Sequence, residues 1–153
     1  MPPEVKVKHV DPLPIAAVRR RCAAAKDLAA VIPEGLGEVW TFIRSSATPH
    51  TGINLVLYWD CEMNLECGVV VQEPFTADGP VICSATPGGL VATAVHMGPY
   101  ARLGETHQAL HEWCKRESFR HAGPSWEIYD HWNDDPEQLR TDIFYLLEED
   151  IRS

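Results

Sequence analysis

The segment from Trp126 to Trp132 combines a carboxylate with aromatic side chains in an alternating order. Successive side chains of a strand point to opposite faces, so Glu127 and Tyr129 share one face and Trp126 and Ile128 the other. A desolvated carboxylate is costly unless a cation pairs with it. Aromatic faces attract organic cations by about 0.5–2 kcal/mol per contact. The pattern fits a site for a cationic ligand, and it equally fits an exposed strand carboxylate with Tyr129 as an ordinary cross-strand partner.

A second apolar segment, Ile53–Trp59, has the same alternation, with Leu55 and Leu57 on one face and Val56 and Tyr58 on the other. We expect the leucine face, and the tryptophan face of the first segment, to pack against helices. The two tyrosine-bearing faces are then expected to border a groove, with Glu127 in it.

Other residues with metal-binding or nucleophilic potential form weaker patterns. His107 and His111 are four positions apart on a predicted helix and therefore share a face. The zinc-protease pattern needs His-Glu-x-x-His, whereas the order here is His-Gln-Ala-Leu-His-Glu, so we interpret both as packed or surface histidines. The five cysteines include no Cys-x-x-Cys pair. Their odd number favours free thiols in a cytoplasmic protein, and we predict no metal and no cofactor.

The elements that would position these residues follow an order that occurs twice. A shift of 71 positions places His50-Thr51-Gly52 on His121-Ala122-Gly123 and Leu57-Tyr58 on Ile128-Tyr129. Each half reads strand, helix, strand, strand. The predicted fold class is therefore α+β: duplicated β-α-β-β modules, antiparallel sheets with helices on one side, and a central ligand groove at the pseudo-twofold axis.

The duplication predicts one domain over residues 1–153. The repeats cover approximately residues 5–73 and 88–148, and a linker rich in Pro and Gly joins them at 74–87. The first helix has Pro33 in its first turn, and the second runs from about Tyr100 to Ser118. The predicted strands are Ile15–Val18, Ile53–Trp59, Leu65–Val71, Leu90–Met97, Trp126–Trp132 and Thr141–Leu147.

Composition excludes several classes of function. The chain has 153 residues, with 22 acidic and 13 basic side chains and a net charge of −9, which disfavours binding to a phosphate backbone. It has neither a signal-peptide pattern nor an apolar run of the roughly 20 residues that a membrane span needs. We predict a cytoplasmic protein whose partner is a small molecule, with no nucleic acid and no membrane; a protein partner and the oligomeric state stay open.

Three segments resemble the GyrI-like family, which includes the effector-binding half of drug-sensing transcription regulators such as BmrR and Rob. They are His96-Met97-Gly98-Pro99-Tyr100 with the following Leu103-Gly104, then Gly123-Pro124-Ser125-Trp126-Glu127-Ile128-Tyr129, and finally Leu139-Arg140-Thr141-Asp142-Ile143-Phe144. The resemblance implies two β-α-β-β modules around a central groove. It also implies a buried glutamate that contacts cationic aromatic ligands, which here is Glu127. Asp142 stands where the family more often has glutamate.

The resemblance leaves three functions open. The favoured one is binding of an amphipathic, cationic aromatic molecule for sequestration or sensing, by a chain in which we expect no DNA-binding domain. A hydrolase of reactive cyclopropanoid toxins, with Glu127 and Tyr129 as catalytic residues, is the second. An acidic inhibitor of a protein partner, such as DNA gyrase, is the third. The candidate ligand-binding residues are Glu127, Tyr129, Tyr58, Tyr100, Phe144, Asp142, Val56 and Trp132.

Overall fold

The computed structural model describes residues 3–60, 62–77 and 79–149, which form an eight-stranded antiparallel sheet and two α-helices. The strands are β1 (Val5–Val10), β2 (Pro14–Arg21), β3 (His50–Tyr58), β4 (Asn64–Val71), β5 (Ile82–Ala85), β6 (Gly89–Met97), β7 (His121–Tyr129) and β8 (Arg140–Leu147). The helices are α1 (Leu28–Ser46) and α2 (Leu103–Arg116). The predicted α+β class is confirmed.

The strand order requires a strongly curved sheet. The order is β1-β6-β8-β7-β3-β4-β2-β5, so six strand spacings separate β1 from β2, about 29 Å in a flat sheet. Yet β1 and β2 are joined by only residues 11–13, which reach about 14 Å at most. Residues 86–88 make the equivalent short connection between β5 and β6. The two ends of the sheet must therefore curl towards each other.

Both helices lie on the same face of this sheet, which we call the helix face. Val39 and Ile43 of α1 share one buried cluster with Val56 of β3, and Leu110 of α2 shares another with Ile143 of β8. The opposite face, here called the helix-free face, forms a third cluster to which no helix contributes. Its side chains are nevertheless buried, because the curved sheet folds this face onto itself.

The predicted assignment of the two faces is therefore wrong. Leu55, Leu57 and Trp126 belong to the helix-free cluster. The faces that carry Tyr58 and Glu127 look towards the helices instead. The physical reason is that β3 is buried on both faces: Leu55, Val56 and Leu57 are all 0% exposed, so alternation of polar and apolar residues cannot mark the helix side.

Several element boundaries also differ from the prediction. Helix α1 begins at Leu28, so Pro33 lies inside it and not in its first turn. Leu28 and the alanines after it favour helix strongly enough to extend it upstream of a residue that cannot donate a helical hydrogen bond. Strand β7 ends at Tyr129, which places Trp132 in the following loop. Edge strands β1 and β5 were not predicted, and β5 lies within the predicted linker.

The strand order is compatible with the proposed repeat. Exchanging β2, β3, β4 and β5 with β6, β7, β8 and β1 reproduces the same order read backwards. Such symmetry is expected of two modules related by a twofold axis between β3 and β7. The duplication and its boundaries stay a prediction. No helix among the described residues is long and apolar enough to cross a bilayer.

Candidate functional site

A cavity of about 1190 Å³ opens on the helix face, above the central strands β3 and β7. It exists because α1 packs over β2 and β4 while α2 packs over β6, which leaves the centre of the sheet uncovered. Leu28, Ile32 and Leu36 of α1 form one wall, and Leu103 and His107 of α2 form part of the other. Its volume exceeds the usual range of about 300–1,000 Å³ for small-molecule sites, so it can hold a molecule with several rings.

Glu127 supplies a buried carboxylate to the floor of the cavity. It lies on β7 opposite Val56 of β3 and is 5% exposed. The Tyr129 hydroxyl, on the same face two residues later, donates a hydrogen bond to Oε1. The Oε2 atom is 2.6 Å from Nε2 of His107 on α2. Both oxygens of the carboxylate therefore already have a partner within the protein, as a buried charge requires.

His107 continues this network to the next strand. Its Nδ1 atom is 2.7 Å from the hydroxyl oxygen of Tyr145 on β8. The Tyr145 hydroxyl also lies 3.3 Å from the His107 carbonyl oxygen, to which it can donate. A continuous chain of hydrogen bonds thus runs from Tyr129 through Glu127 and His107 to Tyr145, linking β7, α2 and β8 across the cavity floor.

The phenols around Glu127 are all held in their protonated form. Burial raises the pKa of Tyr129 well above its ordinary value, and the negative charge of Glu127 raises it further. Burial, followed by the Glu127 charge, likewise raises the pKa of Tyr58. Burial is also the main cause of the raised pKa of Tyr145. These three residues therefore act as hydrogen-bond donors and not as bases at neutral pH.

Two more histidines extend the aromatic surface beside Tyr145. The rings of His111 and His121 each have their centroid 4.8 Å from that of Tyr145, and both residues line the cavity. Partial desolvation lowers the pKa of His111, and the imidazoles of His121 and His107 lower it further. Among the described residues, no group of three or more His, Cys, Asp or Glu side chains could hold a metal ion.

Aromatic residues from two loops lie over the opposite part of the cavity. The Tyr100 ring makes an edge contact with Tyr129, with centroids 5.5 Å apart. The ring centroid of Trp132 lies 6.5 Å from that of Tyr100, and Trp132 is 69% exposed. Burial, followed by the charge of Asp130, raises the pKa of Tyr100. Since Trp132 is largely free of protein contacts, a ligand can cover it without displacing packed side chains.

The cavity brings together five of the eight predicted ligand-binding residues: Glu127, Tyr129, Tyr58, Tyr100 and Trp132. Val56 lies on the helix face but is fully covered by the α1 cluster. The cavity lining does not include Phe144 or Asp142, which requires a correction to the predicted site.

Register explains why the last two residues lie elsewhere. Phe144 pairs with Trp126, and Asp142 pairs with Ile128, so both side chains share the helix-free face. The Phe144 ring stacks on Trp126 with centroids 5.5 Å apart. Asp142 accepts a hydrogen bond of 2.8 Å from Nε of Arg140. Neither is placed to contact a ligand beside Glu127.

The lining residues that the sequence interpretation did not predict include the hydrogen-bonded and stacked group of His107, His111, His121 and Tyr145. A signal for Tyr145 was present, because it alternates with Phe144 and so lies on the face that Glu127 shares. The four-residue spacing of His107 and His111 correctly placed both on one helix face, but nothing in the sequence showed that this face meets Glu127.

Together, the curved sheet, its paired helices and the large aromatic cavity define a small-molecule-binding domain. The chain belongs to the GyrI-like family, because the family model "GyrI-like small molecule binding domain" matches residues 3–147. No curated protein sequence matches the chain.

Solved structures share the fold at low sequence identity. The chain is similar to the C-terminal domain of EcmrR, at 19% identity and a TM-score of 0.81, over 97% of this chain and 99% of that one. It is also similar to SAV2435 bound to tetraphenylphosphonium, at 11% identity and a TM-score of 0.69, over 95% of this chain and 94% of that one. A hydrolase from Listeria innocua is similar at 13% identity and a TM-score of 0.61, over 95% of this chain and 92% of that one.

Proposed function

We propose that the protein binds a cationic, multi-ring aromatic molecule in the cavity, with Glu127 facing the positive charge. The observation that carries this proposal is a carboxylate that is 5% exposed at the floor of a large cavity and surrounded by phenol rings. Burial of such a group costs several kcal/mol unless opposite charge compensates it. An organic cation in the cavity supplies that charge.

The walls favour a flat or propeller-shaped aromatic ligand. Aliphatic side chains of α1 cover one side, and Tyr58, Tyr100, Tyr129 and Trp132 offer ring faces and edges on the other sides. Each cation–aromatic contact contributes about 0.5–2 kcal/mol, and more where water is excluded. The ligand-bound SAV2435 supports this choice, because it places a tetraphenylphosphonium ion on the same fold. That ion is therefore a suitable probe.

Replacing Glu127 with glutamine is expected to weaken tetraphenylphosphonium binding at least tenfold, or about 1.4 kcal/mol. Glutamine keeps the size of the side chain and an oxygen for the Tyr129 hydroxyl, but it removes the charge. The measurement is quenching of tryptophan fluorescence during titration, with circular dichroism as a check of the fold.

Asp142→Asn is the matched control for this experiment, because it removes a carboxylate charge outside the cavity. Its affinity should equal that of the wild type. Neutral triphenylphosphine oxide should bind the wild type and Glu127→Gln equally. Equal binding of the cation by wild type and Glu127→Gln would remove Glu127 from the proposal.

Hydrolysis of a reactive electrophile is a second candidate, favoured by the hydrogen-bonded chain from Tyr129 to Tyr145. Glu127 would take a proton from a water molecule as the water oxygen bonds to a ring carbon of the electrophile, while Tyr129 orients the carboxylate. A carbon–carbon bond of the ring breaks, and the carbon that keeps the electron pair takes up the proton from Glu127. Mass spectrometry of a cyclopropane-containing electrophile incubated with the protein tests this reaction. Ring-opened product above background is expected only where Glu127 is present. Equal amounts of product from the wild type and from Glu127→Gln would therefore exclude this reaction.

The remaining predictions rest on charge and composition. Inhibition of a protein partner such as DNA gyrase stays a prediction. No feature of the described residues favours it over binding of a small-molecule ligand. The lack of a nucleic-acid partner stays a prediction from the acidic composition, and the cytoplasmic location stays a prediction from the cysteines and the N-terminal sequence.

A further inference from the structure

We infer that His107 is an internal counter-cation that competes with the ligand for Glu127, so that this histidine determines the charge of the molecule that the cavity accepts. The inference rests on the proposed function and extends it to a specificity-determining residue. It follows from the 2.6 Å contact between His107 Nε2 and Glu127 Oε2, which places a titratable cation where the ligand charge would lie.

The surroundings of His107 fix which nitrogen faces the carboxylate. Nδ1 is held by the Tyr145 hydroxyl at 2.7 Å, so Nε2 points at Glu127. The imidazole cannot turn away without breaking both hydrogen bonds. Its side chain is 27% exposed against 7% for Glu127, so the imidazole lies nearer to solvent than the carboxylate does.

Tyr145 can serve both protonation states of His107. When the imidazole is charged, Nδ1 donates to the Tyr145 hydroxyl, whose own proton goes to the His107 carbonyl oxygen. When the imidazole is neutral, the Tyr145 hydroxyl donates to Nδ1, and Nε2 keeps its proton towards Glu127. The contact with Glu127 therefore persists while the charge beside it changes.

The charge of the cavity floor depends on this one proton. With charged His107 the pair with Glu127 is neutral, whereas with neutral His107 the carboxylate is uncompensated. The other titratable groups that face this pair are Tyr145 on β8, Tyr58 on β3, Tyr129 on β7 and His111 on α2. The phenols stay protonated, and desolvation and the neighbouring imidazoles lower the pKa of His111.

Four further titratable groups line the cavity without contacting the pair. Tyr100 makes an edge contact with Tyr129. His121 stacks on Tyr145 and hydrogen-bonds the Pro124 carbonyl oxygen at 2.9 Å. Asp60 and Asp130 border other parts of the cavity. None has a hydrogen bond to His107 or Glu127 among the described residues, so the proton on His107 is the one that changes the charge directly beside the carboxylate.

Linkage gives the direction of the effect. A cation binds the form with neutral His107, and its apparent dissociation constant is the intrinsic value divided by the fraction of that form. The neutral fraction of an imidazole falls as pH falls, so the affinity for a cation falls too. Binding therefore releases a proton, and a neutral ligand shows neither effect.

The test is titration with tetraphenylphosphonium between about pH 5.5 and 8.5, the range in which an imidazole ordinarily changes charge. The wild type is expected to bind more weakly towards low pH. His107→Gln, which keeps an N–H for Glu127 but cannot become charged, should bind with little pH dependence and at least tenfold more tightly than the wild type at the acid end. His9→Gln is the matched control, because His9 forms a histidine–glutamate pair with Glu149 outside the cavity, and its pH dependence should equal that of the wild type.

Calorimetry of the wild type in two buffers of different ionisation enthalpy provides a measurement that needs no variant. It should find proton release on binding at low pH and none at high pH; absence of release overturns the inference. A pH dependence that persists in folded His107→Gln, or disappears in His9→Gln, also overturns it. Wild-type binding that does not vary with pH rejects the role of His107 alone, whereas no binding at any pH rejects the proposed function together with it.

Discussion

Replacing Trp126 with alanine is expected to lower the free energy of unfolding by about 3–5 kcal/mol. The indole is 2% exposed and stacks on Phe144 within the helix-free cluster. This cluster is closed by the curvature of the sheet and contains no helical residue. No helix can therefore move in to fill the space that the truncation leaves, so most of the cost of the cavity remains. Urea denaturation followed by far-ultraviolet circular dichroism measures the change.

Trp132→Ala is the matched substitution, because it removes the same side chain from a loop where it is 69% exposed. Its effect on the free energy of unfolding should stay within about 0.5 kcal/mol, as for other exposed positions. It should instead weaken tetraphenylphosphonium binding, because the indole borders the cavity beside Tyr100. A loss of stability from Trp132→Ala as large as that from Trp126→Ala would contradict the two environments described above.

Much of the fold could be predicted because its signals are local. The stripe of apolar residues in α1 and the apolar segments of β3, β4, β6 and β8 each predict an element from neighbouring positions alone. The edge strands β1 and β5 carry weaker signals. Residues Val5–Val10 are half-buried or exposed and none is fully buried, and Ile82–Ala85 is only four residues long within a segment rich in Pro and Gly. Their pairing depends on partners far away in the chain.

The side of the sheet could not be predicted, because it depends on where the helices pack. Alternation correctly placed Glu127 and Trp126 on opposite faces of the strand, because alternation is a local property of a strand. Whether a helix covers one face or the sheet curls over it is decided by the short connections at residues 11–13 and 86–88. Phe144 was predicted to line the groove together with Glu127. The register between β7 and β8 instead places it opposite Trp126, on the helix-free face.

The role of His107 depends on contact between elements that are distant in sequence. The histidine and Glu127 are 20 residues apart, and their atoms meet only when α2 packs over β6 on the helix face of the sheet. A lone histidine on a helix is usually packed or exposed, so the sequence favoured that interpretation. A buried carboxylate in a strand does imply some partner, but the sequence could not show whether that partner belongs to the protein or to a ligand.

Replacing Gly35 with alanine is expected to destabilise the protein relative to Gly37→Ala by about 1–3 kcal/mol. Both glycines lie in α1, so both variants gain the helix propensity of alanine, about 1 kcal/mol. A Cβ atom at position 35 would lie 3.0 Å from Cys67 Cβ and 3.1 Å from its Sγ, whereas one at position 37 meets nothing within 4 Å. Gly37→Ala should therefore stabilise the protein, and the difference between the variants measures the net effect of a methyl group in the crowded, buried position 35.

The same crowding should also change the cavity, because α1 carries Leu28, Ile32 and Leu36 of its wall. Burial raises the pKa of Cys67 to about 11, so its thiol stays uncharged and the contact with α1 is one of packing. A methyl group at position 35 must push α1 away from β4 or displace this side chain. We expect tetraphenylphosphonium binding to change in Gly35→Ala and not in Gly37→Ala, in the same titration. If both variants bind like the wild type while Gly35→Ala is destabilised, the Cys67 side chain moves and absorbs the crowding. If the two variants are equally stable, the close approach of α1 to β4 does not position the cavity wall.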